Sequence, residues 1–150
     1  MTTVRASVDV DAPPERVWAV VADPRNLPVW DRHIEEVTGI PPDGVREGTR
    51  YTTVLRFMSV RAHVGAEVVE LDPPRLGRIR LSGLLDATVT TRVDPLNGNR
   101  SRLEHEVSYR FRGGPIGRLA ARSLRMLGGA GIALRHGAIA QKRQIEDGAA

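Results

Sequence analysis

Between Val4 and Val10 apolar and polar residues alternate, with Val4, Ala6, Val8 and Val10 on one side and Arg5, Ser7 and Asp9 on the other. That period of two predicts a strand with one buried face. The run stops at Asp11-Ala12-Pro13-Pro14, where proline suits the first turn of a helix and Glu15 sits near its positive end. Val17, Trp18, Val20 and Val21 give this short helix an apolar side. Asp23-Pro24 ends it, because the residue before a proline is pushed out of the helical region. A second short helical turn, Arg25 to Asp31, carries Leu27 and Trp30 back toward the body.

From Ile34 the pattern returns to strands, separated by the turn clusters Pro41-Pro42-Asp43-Gly44, Asp72-Pro73-Pro74, Ser82-Gly83 and Asn97-Gly98-Asn99. Sequential hairpins are the simplest topology. The last strand is the best patterned: Leu103, His105, Val107, Tyr109 and Phe111 share one face, and Arg102, Glu104, Glu106, Ser108 and Arg110 share the other. Its charged face predicts a sheet with water on one side. After Gly113-Gly114-Pro115 the spacing becomes helical, with Ile116, Leu119, Ala120, Leu124 and Leu127 opposed by Arg118, Arg122 and Arg125. The run Gly128-Gly129-Ala130-Gly131 predicts a kink or break in the terminal helix, since each glycine costs about 1 kcal/mol relative to alanine. The helical pattern resumes through Ile132, Leu134, Ile139 and Ile145.

These elements make an α+β fold of about seven antiparallel strands, two short helices after the first strand and a long C-terminal helix as the cover. The 150 residues, 41% of them hydrophobic, predict one domain over 1–150. Only two Trp, two Tyr and two Phe are present to fill the gap between a curved sheet and its helix. Either the aliphatic residues pack solid, or a concave apolar cleft remains of the kind that takes small molecules.

Composition narrows the chemistry. Without cysteine there is no thiol nucleophile, disulfide or sulfur-ligated metal. His33, His63, His105 and His136 lack the spacing that sets two ligands on one helix face, so no metal is expected. Gly113-Gly114-Pro115-Ile116-Gly117 lacks the Lys and Ser/Thr of a phosphate loop, and no nucleophile elbow occurs. No cofactor is implied. All but one of the 22 basic residues are arginine, for a net charge of +4. Basic stretches without interleaved aromatics argue against nucleic acid. No apolar run is long enough to span a bilayer and the start lacks a signal-peptide core, so a cytoplasmic location without stable membrane insertion is expected.

Three segments carry a family resemblance: VDVDAPPERVWAVVADPRNLPVWDRHIEEV from Val8 to Val37, VVELDPPRL from Val68 to Leu76, and RFRGGPIGRLAARSLRML from Arg110 to Leu127. Together they resemble the SRPBCC superfamily, the START-like and Bet v 1-like group that includes polyketide cyclase/dehydrase and lipid-transport proteins. The Ala-Pro-Pro-Glu-Arg-Val-Trp helix start, with Asp23-Pro24 and Trp30 downstream, is the most specific part. The resemblance implies a helix-grip fold and a hydrophobic cavity between sheet and C-terminal helix. It implies no reaction, because one fold serves carriers, sensors and cyclases.

The leading expectation is binding of a small hydrophobic molecule, lipid or polyketide-like, by a lining of Trp30, Tyr51, Phe57, Leu81, Val89, Leu103, His105, Val107, Tyr109 and Leu127. The alternative is a polyketide cyclase, aromatase or dehydratase in which His105 and Tyr109 move protons. His105 on an apolar strand face is either that base or a satisfied core histidine, and the tyrosines are either pocket groups or core edge. Trp18, like Trp30, is a candidate cavity wall, although the resemblance implies a mainly structural role for it, and Asp86 reads as a turn residue or a strand start at the cavity rim. The Arg118, Arg122 and Arg125 stripe is either a solvated face or a dock for an acidic carrier protein. The glycine run is either a static kink or a gate.

Overall fold

The computed structural model describes residues 2–57, 59–83, 85–126 and 128–148. Seven antiparallel strands form one sheet in the order β1-β7-β6-β5-β4-β3-β2: β1 (Thr2–Val10), β2 (Ile34–Thr38), β3 (Arg50–Phe57), β4 (Val60–Asp72), β5 (Leu76–Gly83), β6 (Leu85–Leu96) and β7 (Arg100–Phe111). Strands β2 to β7 are a continuous meander. β1 returns to close the far edge against β7, with Ala6 opposite His105 and Val10 opposite Ser101. Asp86 stands inside β6, paired to Arg110 and Arg112, rather than in a turn.

Helix α1 (Pro14–Val21) starts as the sequence predicts: Pro14 is its first residue, and the Pro13 carbonyl accepts from the Arg16 and Val17 amides at 3.1 Å. A 3-10 turn (Pro24–Asn26) follows, capped by Asp23, whose carboxylate accepts from the Arg25 amide at 3.0 Å. Helix α2 (Leu27–Trp30) completes the connection to β2. The C-terminal helical segment is broken, with α3 (Pro115–Met126) and α4 (Ala130–Asp147) meeting at Gly128 and Gly129. Both glycines have φ near +95°, a conformation that a side chain disfavours. Gly129 is the N-cap of α4.

Helix α4 lies over β1 and β7 and touches α1 and α2. Under it, Val10, Ala12, Val17, Val93, Leu103 and Ile145 form one core cluster, flanked by Trp18 and Val21. Full burial of each large aliphatic here stabilises by about 1.5–3 kcal/mol. Buried Ser101 ties the β1–α1 corner to β7, donating to the Ala12 carbonyl at 2.8 Å. A second cluster gathers Tyr51, Ala66 and Val68 with Leu27, Val45, Leu71, Ile79 and Leu81 at the other half of the sheet. The opposite sheet face is wet and laced with ion pairs, among them Arg5–Glu106, Arg92–Glu104 and Arg61–Glu35. No helix among the described residues is long and apolar enough to cross a membrane.

Candidate functional site

The seam between the two core clusters is where packing is incomplete. An apolar pocket of about 80 Å³ opens there. Trp18 and Val21 of α1, its C-cap Ala22, Pro24, and Leu27 and Trp30 of α2 form its roof. Val45, Tyr51, Val68, Leu71, Gly77, Ile79 and Thr91 form its wall and floor. None of its lining among the described residues comes from α3 or α4, so the described pocket lies beside the C-terminal helix rather than beneath it.

Each aromatic is placed by a specific feature. Trp18 rests on β5 because residue 77 is glycine: a Cβ there would stand 3.1 Å from the indole Cη2. An isolated glycine inside a strand marks such a close approach. Trp30 donates its indole N–H to Gln144 Oε1 at 2.6 Å, and Gln144 donates its amide to Asn26 Oδ1 at 3.3 Å. Tyr51 is 6% exposed, and burial alone pushes its phenol up to about 12. It therefore stays protonated throughout the neutral range, and no described group hydrogen-bonds its hydroxyl to offset that burial.

Thr91 connects the pocket floor to the interior. Register sets Thr91 opposite His105, and their Oγ1 and Nδ1 are 2.9 Å apart. The other ring nitrogen, Nε2, lies 2.6 Å from Gln141 Oε1 on α4. An amide oxygen only accepts, so Nε2 carries the proton and Nδ1 accepts from the Thr91 hydroxyl. Burial holds the His105 pKa below its ordinary value, partly opposed by the bond to Gln141. His105 is thus a neutral strut from sheet to α4. Gln141 and Gln144, one helical turn apart, hold the floor and the roof of the pocket to the same helix face.

Of the residues expected to line a cavity, the structure brings Trp30 and Tyr51 together. Leu81 packs beside Tyr51 in the second cluster, and Leu103 is wholly buried in the first. Val89 and Val107 are cross-strand partners, half-buried farther along the same sheet face. Tyr109 is half-buried with its ring edge-on to Phe111 at 5.6 Å. The Phe57 side chain and Leu127 lie outside the described residues. Trp18, a candidate wall from the sequence, is in the lining, whereas Leu71, Gly77, Ile79 and Thr91 were not expected there; Gly77 within Arg75-Leu76-Gly77-Arg78-Ile79 was the available local clue. A second depression, on the wet face, is polar: Glu67 sits between Arg50 at 3.5 Å and Arg80 at 3.6 Å. Among the described residues no three His, Asp or Glu side chains stand together as metal ligands.

Residues 1–133 match the model of a family described as polyketide cyclase/dehydrase and lipid transport. The chain belongs to that family. None of the curated proteins matches it. Among solved structures, this polyketide cyclase/dehydrase and lipid transport family member is similar to a protein of Thermus thermophilus, at 21% identity and TM-score 0.75 over 99% of this chain and 100% of that one. It is also similar to the Zhui aromatase/cyclase of Streptomyces sp. R1128, at 17% identity and TM-score 0.71 over 96% and 95% of the two chains. A START superfamily protein of Mycobacterium smegmatis matches at 18% identity and TM-score 0.62 over 89% and 94%. At these identities the likeness establishes the fold, which is the helix-grip, START-like arrangement of sheet and long C-terminal helix.

Proposed function

We propose that the chain binds a small hydrophobic molecule, with one ring or branch seated between Trp18, Trp30 and Tyr51. The observation that carries this reading is the convergence of Trp18, Trp30 and Tyr51 on one apolar pocket, with a Tyr51 hydroxyl that bonds no described residue. A phenol hydroxyl without a described protein partner can donate to a ligand oxygen. Thr91, also in the lining, adds an acceptor, because its proton is committed to His105 and its oxygen keeps acceptor capacity. The room is well below the roughly 300–1,000 Å³ that encloses whole drug-sized molecules, so a larger ligand projects through the mouth or displaces α2.

Turnover of a carrier-tethered polyketide is the weaker reading. It assigns proton transfer to His105 and Tyr109, yet both His105 nitrogens are bonded while α4 is seated, and Tyr109 lies outside the pocket. The only two tryptophans of the chain both line the pocket, so all indole emission reports on it. Titration with naphthol, a fused-ring phenol, and separately with oleic acid is expected to change that emission saturably for at least one of them. Emission unaltered by both, together with native mass spectrometry showing no retained molecule, would overturn the proposal.

A further inference from the structure

Charge is distributed very unevenly along the chain. Residues 107–145 hold eight Lys and Arg and not one Asp or Glu, which leaves 14 basic against 18 acidic residues elsewhere. A chain of net charge +4 is therefore a basic segment, most of it α3 and α4, on an acidic remainder. Ion pairing follows the same division. Arginines of the sheet outside that segment are neutralised by carboxylates, as in Arg5–Glu106, Arg78–Glu70 and Arg102–Asp9. Arg118, Arg122 and Arg125 of α3 and Arg135 and Arg143 of α4 are exposed and form no ion pair with a described residue.

The geometry of α3 gathers these charges. Positions 118, 122 and 125 follow the i, i+4, i+7 spacing and share one face, and Met126 borders it. Met126 is 71% exposed and Ile132 is 48% exposed, and they flank the Gly128–Gly129 elbow. Among the described residues only Val29 joins them as an exposed large hydrophobic. Two exposed apolar side chains at a bend, on helices whose arginines pair with no described residue, are what an interfacial element needs. The apolar groups dip below the headgroups while the guanidiniums meet lipid phosphate. A purely electrostatic contact would satisfy the arginines but leave the protruding Met126 and Ile132 unexplained.

We infer that the α3–α4 elbow docks the protein on an anionic lipid surface. The inference stands on the outer surface of the helices and is independent of what the pocket holds. The test is co-sedimentation of ligand-free protein with phosphatidylcholine vesicles, with and without phosphatidylglycerol. Binding is expected only with the anionic lipid and only at low salt, since screening shortens from about 10 Å at 0.1 M to about 3 Å at 1 M. Arg118→Gln/Arg122→Gln/Arg125→Gln should weaken partitioning roughly a hundredfold, about fivefold per charge near the surface. Met126→Ser/Ile132→Ser should weaken it severalfold without altering the melting temperature, because both side chains are exposed. As the chain has no cysteine, Met126→Cys can carry a polarity-sensitive dye, whose emission should shift blue on anionic vesicles. No binding, equal binding to neutral vesicles, or binding that survives the triple substitution would overturn the inference. So would binding indifferent to Met126 and Ile132 and abolished by poly-glutamate, an outcome that reassigns the face to an acidic protein.

Discussion

Gln141→Leu isolates the strut between sheet and C-terminal helix. Both partners are almost fully enclosed, His105 at 7% and Gln141 at 6% exposure, and their contact is 2.6 Å. Leucine keeps most of the glutamine's volume but removes the acceptor, leaving the Nε2 proton of His105 unbonded in a dry site. An orphaned buried donor costs about 1–3 kcal/mol, more than the roughly 1 kcal/mol net value of the bond itself. With a urea slope of about 2 kcal/mol per molar, the unfolding midpoint should fall by about 0.5–1.5 M at unchanged slope. His105→Leu alone should cost a similar amount, because it strands the Gln141 oxygen and leaves Thr91 without its acceptor. The double variant replaces both polar ends by apolar groups, so its loss should be smaller than the sum of the two singles by about 1 kcal/mol or more. A Gln141→Leu protein as stable as the parent, or strictly additive losses, would refute the strut.

Four further outcomes follow from the same geometry. The unfolded state protonates His105 near its ordinary 6.5 and the folded state only at lower pH, so stability is complete above 6.5 and is lost as pH falls toward the folded value, at up to about 1.4 kcal/mol per pH unit; pH-dependent chemical denaturation of His105→Gln should lack that component. Tyr51→Phe should leave urea stability nearly unchanged, because the hydroxyl bonds no described residue, while weakening naphthol affinity about two- to tenfold in the tryptophan titration. Gly77→Ala forces a Cβ within 3.1 Å of Trp18, so the indole must shift into the pocket, and both the emission maximum and probe affinity should change. Gly131 lies within α4 with open space around it, whereas Gly129 has φ +95° at the N-cap; thermal melts should show Gly131→Ala stabilising by up to about 1 kcal/mol and Gly129→Ala destabilising by about as much or more.

What could be read in the sequence was local. β1, the proline start of α1, the β7 face containing His105 and the break at the glycine run all rest on residues close in sequence, and each appears in the fold. Even the Thr91–His105 pairing was within reach. The Asn97-Gly98-Asn99 turn sets Leu96 opposite Arg100, and counting five residues back along each strand reaches Thr91 and His105. The position of the pocket was not within reach. A cavity beneath the terminal helix was the expectation, while the described apolar pocket sits beside it under α1 and α2. Which stretch of sheet a helix covers depends on curvature and register accumulated over seven strands, and no local pattern encodes that sum. Gln141 and Gln144 were invisible for a related reason: polar residues beside Ala138 and Ile145 read as interruptions of an apolar face until their partners, His105 and Trp30, are known.

The same hydrogen bonds indicate which wall of the pocket yields most easily. The β1–α1 corner is fastened to the end of α4 by three contacts. Arg16 donates to the Ile145 carbonyl at 2.8 Å, the Asp11 amide to Glu146 at 2.7 Å, and Lys142 to the Asp9 carbonyl at 2.6 Å. The floor is fastened by His105. Helix α2 is one turn long and, among the described hydrogen bonds, is joined to α4 through Gln144 alone, by way of Trp30 and Asn26. Short elements with few anchors open at the lowest free energy. Access to Tyr51 therefore runs past Trp30, and releasing that indole should widen the path. Trp30→Phe keeps a ring but removes the N–H donor to Gln144, at a stability cost of about 1 kcal/mol. Stopped-flow mixing with naphthol, read by the remaining Trp18, should show faster association than in the parent. An unchanged rate, with the same loss of stability, would mean that ligands reach the pocket by another wall and that Gln144 serves only to seat α2.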